Sequence, residues 1–188
     1  MTKRVKKQTP SAKQILLSSA GYVFFGVVLA FLLRLVVEPT IVVGDSMLPT
    51  FKNGEYLINY RLAYKNDEPE YGDIVIIDLE NGPEDGYLIK RVIGLPGDTI
   101  EIIDNELYVN GMKVDEPYIL EEMRGTKDMT YILRKDEIFV MGDNRNNSLD
   151  SRVVGPINYK KEVRGKVVLR LFPFDQSFKE PWFTVAID

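Results

Sequence analysis

The chain has 188 residues, 45% hydrophobic and 28% charged, with a formal net charge of −4, which leaves room for one modest domain plus a membrane segment. It contains no histidine and no cysteine, which excludes Cys nucleophiles, disulfides, zinc sites built on Cys or His, and any Ser-His-Asp triad. From Leu35 onward there are 18 basic and 28 acidic residues, a formal charge of −10 that argues against nucleic acid as a partner and suits a soluble exported body.

Residues 1–14 carry Lys3, Arg4, Lys6, Lys7 and Lys13 with no acidic residue, and an uncharged apolar run follows from Ile15 to Leu33. Nineteen helical residues span roughly 29 Å, close to the ~30 Å of a bilayer's hydrocarbon core. Leu35 to Val37 extend the run, so 15–37 is predicted to be a transmembrane anchor, with Arg34 snorkelling to the far interface. The basic N-terminus predicts a cytoplasmic start and an extracytoplasmic body over 38–188, a setting with which the lack of cysteine agrees. A cleaved secretory signal is the rival reading. The run is too long for a signal's apolar region, however, and Glu38-Pro39-Thr40 offers no small-x-small cleavage site.

Beyond the anchor the pattern changes to short β-rich runs at Thr40–Val43, Tyr56–Asn59, Ile74–Leu79, Tyr87–Ile93, Thr99–Ile103, Glu137–Met141 and Val163–Phe172. Leu107 to Val114 reads as a hairpin, because Asn110-Gly111 supplies the two positive φ values of a type I′ turn. Asn81-Gly82-Pro83 and Pro96-Gly97-Asp98 are further turns. No later segment shows a sustained 3.6-residue apolar repeat, so the fold class is mainly β. Residues from about 99 to 133 look like an excursion that forms a small cap. The tail around Phe172, Phe174, Trp182 and Phe183 is aromatic, as packed core or as an interface contact with the membrane.

Three segments carry possible chemistry: Gly44-Asp45-Ser46-Met47-Leu48-Pro49-Thr50, the stretch Tyr87 to Asp98 containing Lys90-Arg91-Val92-Ile93-Gly94-Leu95-Pro96-Gly97, and Gly142 to Arg152. Each has a plain structural reading, as a turn, as a solvated strand face and as a polar loop. The third also has the alternating oxygens of a calcium loop, without flanking helices or a closing Glu. A lysine becomes a base at neutral pH only where an apolar site lowers its pKa from ~10.4 to about 7 or 8. Leu88, Ile89 and Val92 can supply that desolvation for Lys90. In a chain without histidine, a neutral lysine is the plainest partner to take a proton from Ser46.

Taken in order, the basic N-terminus, the apolar anchor, Ser-Met-x-Pro-Thr, Lys-Arg-Val-Ile-Gly-Leu-Pro-Gly-Asp and Gly-Asp-Asn-x-x-x-Ser-x-Asp-Ser-Arg resemble bacterial signal peptidase I, and the short single-anchor layout is similar to its Gram-positive branch. The resemblance runs from the anchor to about Phe174. It implies a β-rich catalytic core with an inserted cap, Ser46 as nucleophile, Lys90 as general base, and Ser148 hydrogen-bonded to that lysine. Asp150 and Arg152 are expected to brace the site, with Gly142, Asp143 and Asn144 completing the supporting loop. It also implies secretory preproteins as substrates, cut after small residues of the Ala-x-Ala type, with Val42, Met47 and Ile89 near the small-residue pockets. No metal or cofactor is called for, and the lipid bilayer is the other partner. One departure is Gly44, where some members carry a serine whose hydroxyl helps form the oxyanion hole. Two other functions remain: a self-cleaving Ser-Lys protease of the repressor type, which lacks its DNA-binding helices here, and a non-catalytic anchored β module.

Overall fold

The computed structural model describes residues 12–79, 86–172 and 184–185, and the chain divides after Val36 into two units. The first contains helix α1, Ala12–Val36, 25 residues long. Its stretch from Ser19 to Val36 is long and apolar enough to cross a membrane. Tyr22, Phe24, Phe25, Phe31 and Leu33 are all exposed on it, which a helix in water would not tolerate. The helix ends one residue before the predicted boundary, because Val37 already pairs as a strand.

The second unit is built on a seven-stranded antiparallel sheet. Its strands are β1 (Val37–Ile41), β2 (Tyr56–Tyr60), β3 (Ile74–Asp78), β4 (Tyr87–Gly94), β9 (Glu137–Met141), β10 (Ile157–Asn158) and β11 (Val163–Phe172), in the order β1-β2-β11-β3-β4-β9-β10. β1 starts earlier than the sequence predicts and leaves Val42 and Val43 outside it. As an edge strand it accommodates Pro39, which has no N–H to give a second neighbour. β3 reads Ile-Val-Ile-Ile and is buried on both faces: Ile74 and Ile76 join Val42, Met47, Phe51, Leu57 and Val167, while Val75 and Ile77 join Val92, Ile138, Val140 and Tyr159. That explains a continuous apolar run where an alternating one would mark a half-exposed strand.

The excursion is a second sheet, formed by β5 (Thr99–Ile103), β6 (Glu106–Val109), β7 (Met112–Asp115), β8 (Met129–Ile132) and the short β12 (Thr184–Val185), ordered β12-β7-β6-β5-β8. Asn110 and Gly111 have φ of 55° and 78°, as the hairpin between β6 and β7 requires. Ile100, Ile102, Leu107 and Leu133 share one core cluster with Ile93, Phe139 and Met141 of the first sheet. The core of the segment is therefore continuous with the first sheet. β8 and the single-turn helices α2 (Ser151–Val154) and α3 (Tyr159–Glu162) have no clear sequence signature. The turn at 81–83 and the aromatics Phe174, Trp182 and Phe183 lie outside the described residues.

Candidate active site

Ser46 sits in the turn that follows β1, and Lys90 sits in β4, where the sheet brings the first and second motifs together. The Lys90 ammonium stem is 2% exposed, and its Nζ lies 2.8 Å from Ser46 Oγ and donates to the Ile89 carbonyl at 2.8 Å. Burial pushes the lysine down to about 8, outweighing the Asp150 and Asp143 charges that raise it, while Arg152 lowers it further. A neutral amine has two N–H groups and one lone pair. One N–H is used on Ile89 O, so the lone pair is free to accept the Ser46 proton.

The third motif wraps round this pair. Asn144 N–H donates to Ser46 O at 3.0 Å and Asn144 Nδ2 to Asp45 O at 3.1 Å, fastening the turn that carries Ser46 to the loop. Gly142 lies so close to Ser46 O and to the Ser148 side chain that a Cβ there would collide with both. Asp143, fully buried, accepts from Arg91 Nε at 2.8 Å and Nη2 at 2.7 Å, a bidentate pair, and Thr50 Oγ1 donates to the same carboxylate. Asp150 caps α2 and accepts from Gly142 N–H at 3.0 Å and from Arg152 Nε at 2.9 Å. Burial opposes its charge, but Arg152, the Gly142 N–H and the adjacent Ser148 hydroxyl together hold the carboxyl below its ordinary value.

Ser148 is the exception among the expected contacts. Its Oγ is buried against Gly142 and makes no hydrogen bond of normal geometry among the described residues, and the lysine amine is engaged by Ile89 O and Ser46 instead. Gly44 has φ of 89°, a conformation that favours glycine, and its N–H is taken by Asn53 Oδ1 at 3.0 Å. The Ser46 N–H, by contrast, has no acceptor among the described residues. Val42, Met47 and Ile89 all line a cleft of about 720 Å³ that also contains Ser46 and Lys90.

Several side chains that organise this site were not singled out from the sequence. Arg91 and Thr50 were within the quoted motifs, next to the residues that drew notice. Arg145 lies within the third motif, whereas Glu116 has no signal: Arg145 Nη1 and Nη2 donate to the Glu116 carboxylate at 2.6 Å each, and Nε donates to Gly142 O at 3.0 Å. The guanidinium of Arg91 stacks 4.2 Å from the ring of Tyr118, so the connection between β7 and β8 packs against the Arg91–Asp143 pair.

Residues 16–172 match the family model described as signal peptidase, peptidase S26. The chain belongs to the signal peptidase family. It is 38% identical over 187 residues to signal peptidase I S of Bacillus subtilis, covering 93% of this chain and 99% of that one. Signal peptidase I of Bacillus amyloliquefaciens is 37% identical, with 93% and 97% covered. Signal peptidase IB of Staphylococcus aureus Mu50 is 36% identical, with 80% and 85% covered. The chain is thus an enzyme of the signal peptidase I class, which removes signal peptides at the membrane, and its N-terminal apolar helix fits that setting.

Proposed function

We propose that Ser46 is the nucleophile and Lys90 the general base of this endopeptidase, and that it cuts secretory preproteins after Ala-x-Ala type sequences. The observation that carries the reading is a buried lysine, held at about 8, whose Nζ lies 2.8 Å from a serine hydroxyl. Neutral Lys90 takes the Ser46 proton as Oγ attacks the scissile carbonyl. The resulting ammonium then protonates the departing amine and leaves an ester on Ser46. Water, deprotonated by the same amine, attacks that ester and frees the signal peptide. The unengaged Ser46 N–H is the donor best placed for the oxyanion, and Gly44 contributes no second one because its N–H is already spent on Asn53. No step draws on a metal or cofactor.

The proposed preference for small side chains is supported by the lining of the cleft. Residues 87–90 of β4 pair with β3 on one side only, since β9 joins at Arg91, and this free edge can take an extended peptide as an added strand. The peptide's alternate side chains then meet the apolar side chains of Val42, Met47, Ile76 and Ile89, a lining matched to small apolar residues. In this reading residues 1–14 lie on the cytoplasmic side, 15–37 span the membrane and 38–188 work outside it. The test is cleavage of an Ala-x-Ala preprotein by detergent-solubilised protein. Ser46→Ala and Lys90→Ala, each folded by circular dichroism, should lose activity by at least about 10³-fold. A normal rate in either variant would remove that residue from the mechanism.

A further inference from the structure

The cleft changes character along its length. Val42, Met47, Ile76 and Ile89 line it near the catalytic pair, whereas Glu38, Asn59, Tyr87 and Arg164 line it elsewhere. Asn59 is the unexpected member. It is 1% exposed, and neither its Nδ2 nor its Oδ1 has a hydrogen-bond partner among the described residues. A buried carboxamide with both groups unmet is costly, and such groups are rare in folded proteins. Space has nevertheless been made for it: a Cβ on Gly165 of the neighbouring β11 would run into Asn59 Oδ1.

The strand register gives its position along the cleft. Leu57 and Asn59 are both buried, two residues apart on one face of β2, and therefore about 7 Å from one another. In β1, which leads toward Ser46, Leu57 pairs with Thr40 and Asn59 with Glu38. Asn59 is thus one same-face step farther from Ser46 than Leu57, whose cluster contains Val42, Met47 and Ile76. An extended substrate places every second side chain on this floor. With the first and third residues before the scissile bond on the apolar part, the fifth reaches Asn59.

We infer that Asn59 forms a polar subsite for the fifth residue before the cut, matched to a side chain that both donates and accepts a hydrogen bond: the carboxamide of Asn or Gln, or the hydroxyl of Ser or Thr. This rests on Ser46 and Lys90 being the catalytic pair and on the cleft holding the signal-peptide side of the substrate. The test is a set of peptides sharing Ala at the first and third positions and differing only at the fifth, cleaved by the solubilised full-length chain. The wild type should cleave the Asn peptide about fivefold faster in kcat/KM than the isosteric Leu peptide, the size of one net hydrogen bond. In Asn59→Leu the ratio should fall to one or invert, with the demand for Ala at the third position unchanged. Asn59→Asp keeps an acceptor and adds charge, so a fifth-position Lys should gain on Asn. No fifth-position preference in the wild type, or wild-type ratios in both variants, overturns the subsite. Failure of the wild type to cleave any member would instead overturn the catalytic reading.

Discussion

Changing the pH across the lysine titration tests the proposed mechanism most directly. Lys90 is held at about 8 against an ordinary 10.5. At pH 7 it is then neutral in roughly one molecule in ten, where an unperturbed lysine would be neutral in roughly one in 3,000, an advantage of about 300-fold in active base. With a peptide substrate that does not itself titrate, kcat/KM at constant ionic strength should rise about tenfold per unit up to pH 8 and then level off. The same shift links folding to pH. Between pH 8 and 10.5 the unfolded chain holds the lysine proton and the folded chain does not, so stability rises with pH across that window. The full shift corresponds to about 3 kcal/mol at ~1.4 kcal/mol per unit. Lys90→Met has no such group. Its Tm should exceed that of the wild type at pH 7, and the gap should narrow by pH 10.5. A rate inflection near 10.5, or a Tm difference that does not change with pH, would refute the assignment of a buried, neutralised lysine.

Asp143→Ala leaves the Arg91 guanidinium buried without its bidentate partner and should cost about 3–5 kcal/mol, read as a large fall in Tm. Gly142→Ala places a methyl group against Ser46 O and the Ser148 side chain. It should cost about 1–3 kcal/mol in stability, and kcat should fall more than KM changes. Asp150, held below its ordinary 3.8, stabilises the fold above that pH and loses the contribution as pH drops through its lower folded value. Asp150→Asn should therefore flatten the acid limb of a circular-dichroism unfolding profile, and an unchanged limb would count against the Arg152 pairing.

The parts of the fold legible in the sequence were those with local causes. An all-round apolar run of helical length, an Asn-Gly hairpin and β-branched runs between turn residues each announce themselves within a few residues. The elements that were missed lack such causes. β8, Met-Thr-Tyr-Ile, has no pattern to set it apart and exists because β5 offers it an edge. The early start of β1 follows from pairing with β2, and that pairing brings a proline into a strand. Likewise the 99–133 segment reads as an inserted cap when seen alone. That its core is continuous with Ile93, Phe139 and Met141 depends on contacts across the chain.

The same division holds at the site, with one consequence for how the proposed catalytic pair would work. Ser46 and Lys90 were legible because missing histidine narrows the choice of base, but the sequence does not say what holds them together. That work falls to groups up to 99 residues away in the chain: the Asn144 amide on Asp45 O, the Arg91–Asp143 pair with Thr50, and Glu116 holding Arg145 to Gly142 O. None of these contacts involves the Lys90 amine or the Ser46 hydroxyl. The frame therefore stays fixed while a single proton moves, and the charge that Lys90 gains on taking it is opposed by burial yet favoured by Asp150 and Asp143. Those two carboxylates keep the lysine from being driven far below 8, where it would be neutral but too weak a base to take the serine proton. In the proposed mechanism, strength and availability of the base are balanced by the same loop that positions Ser46.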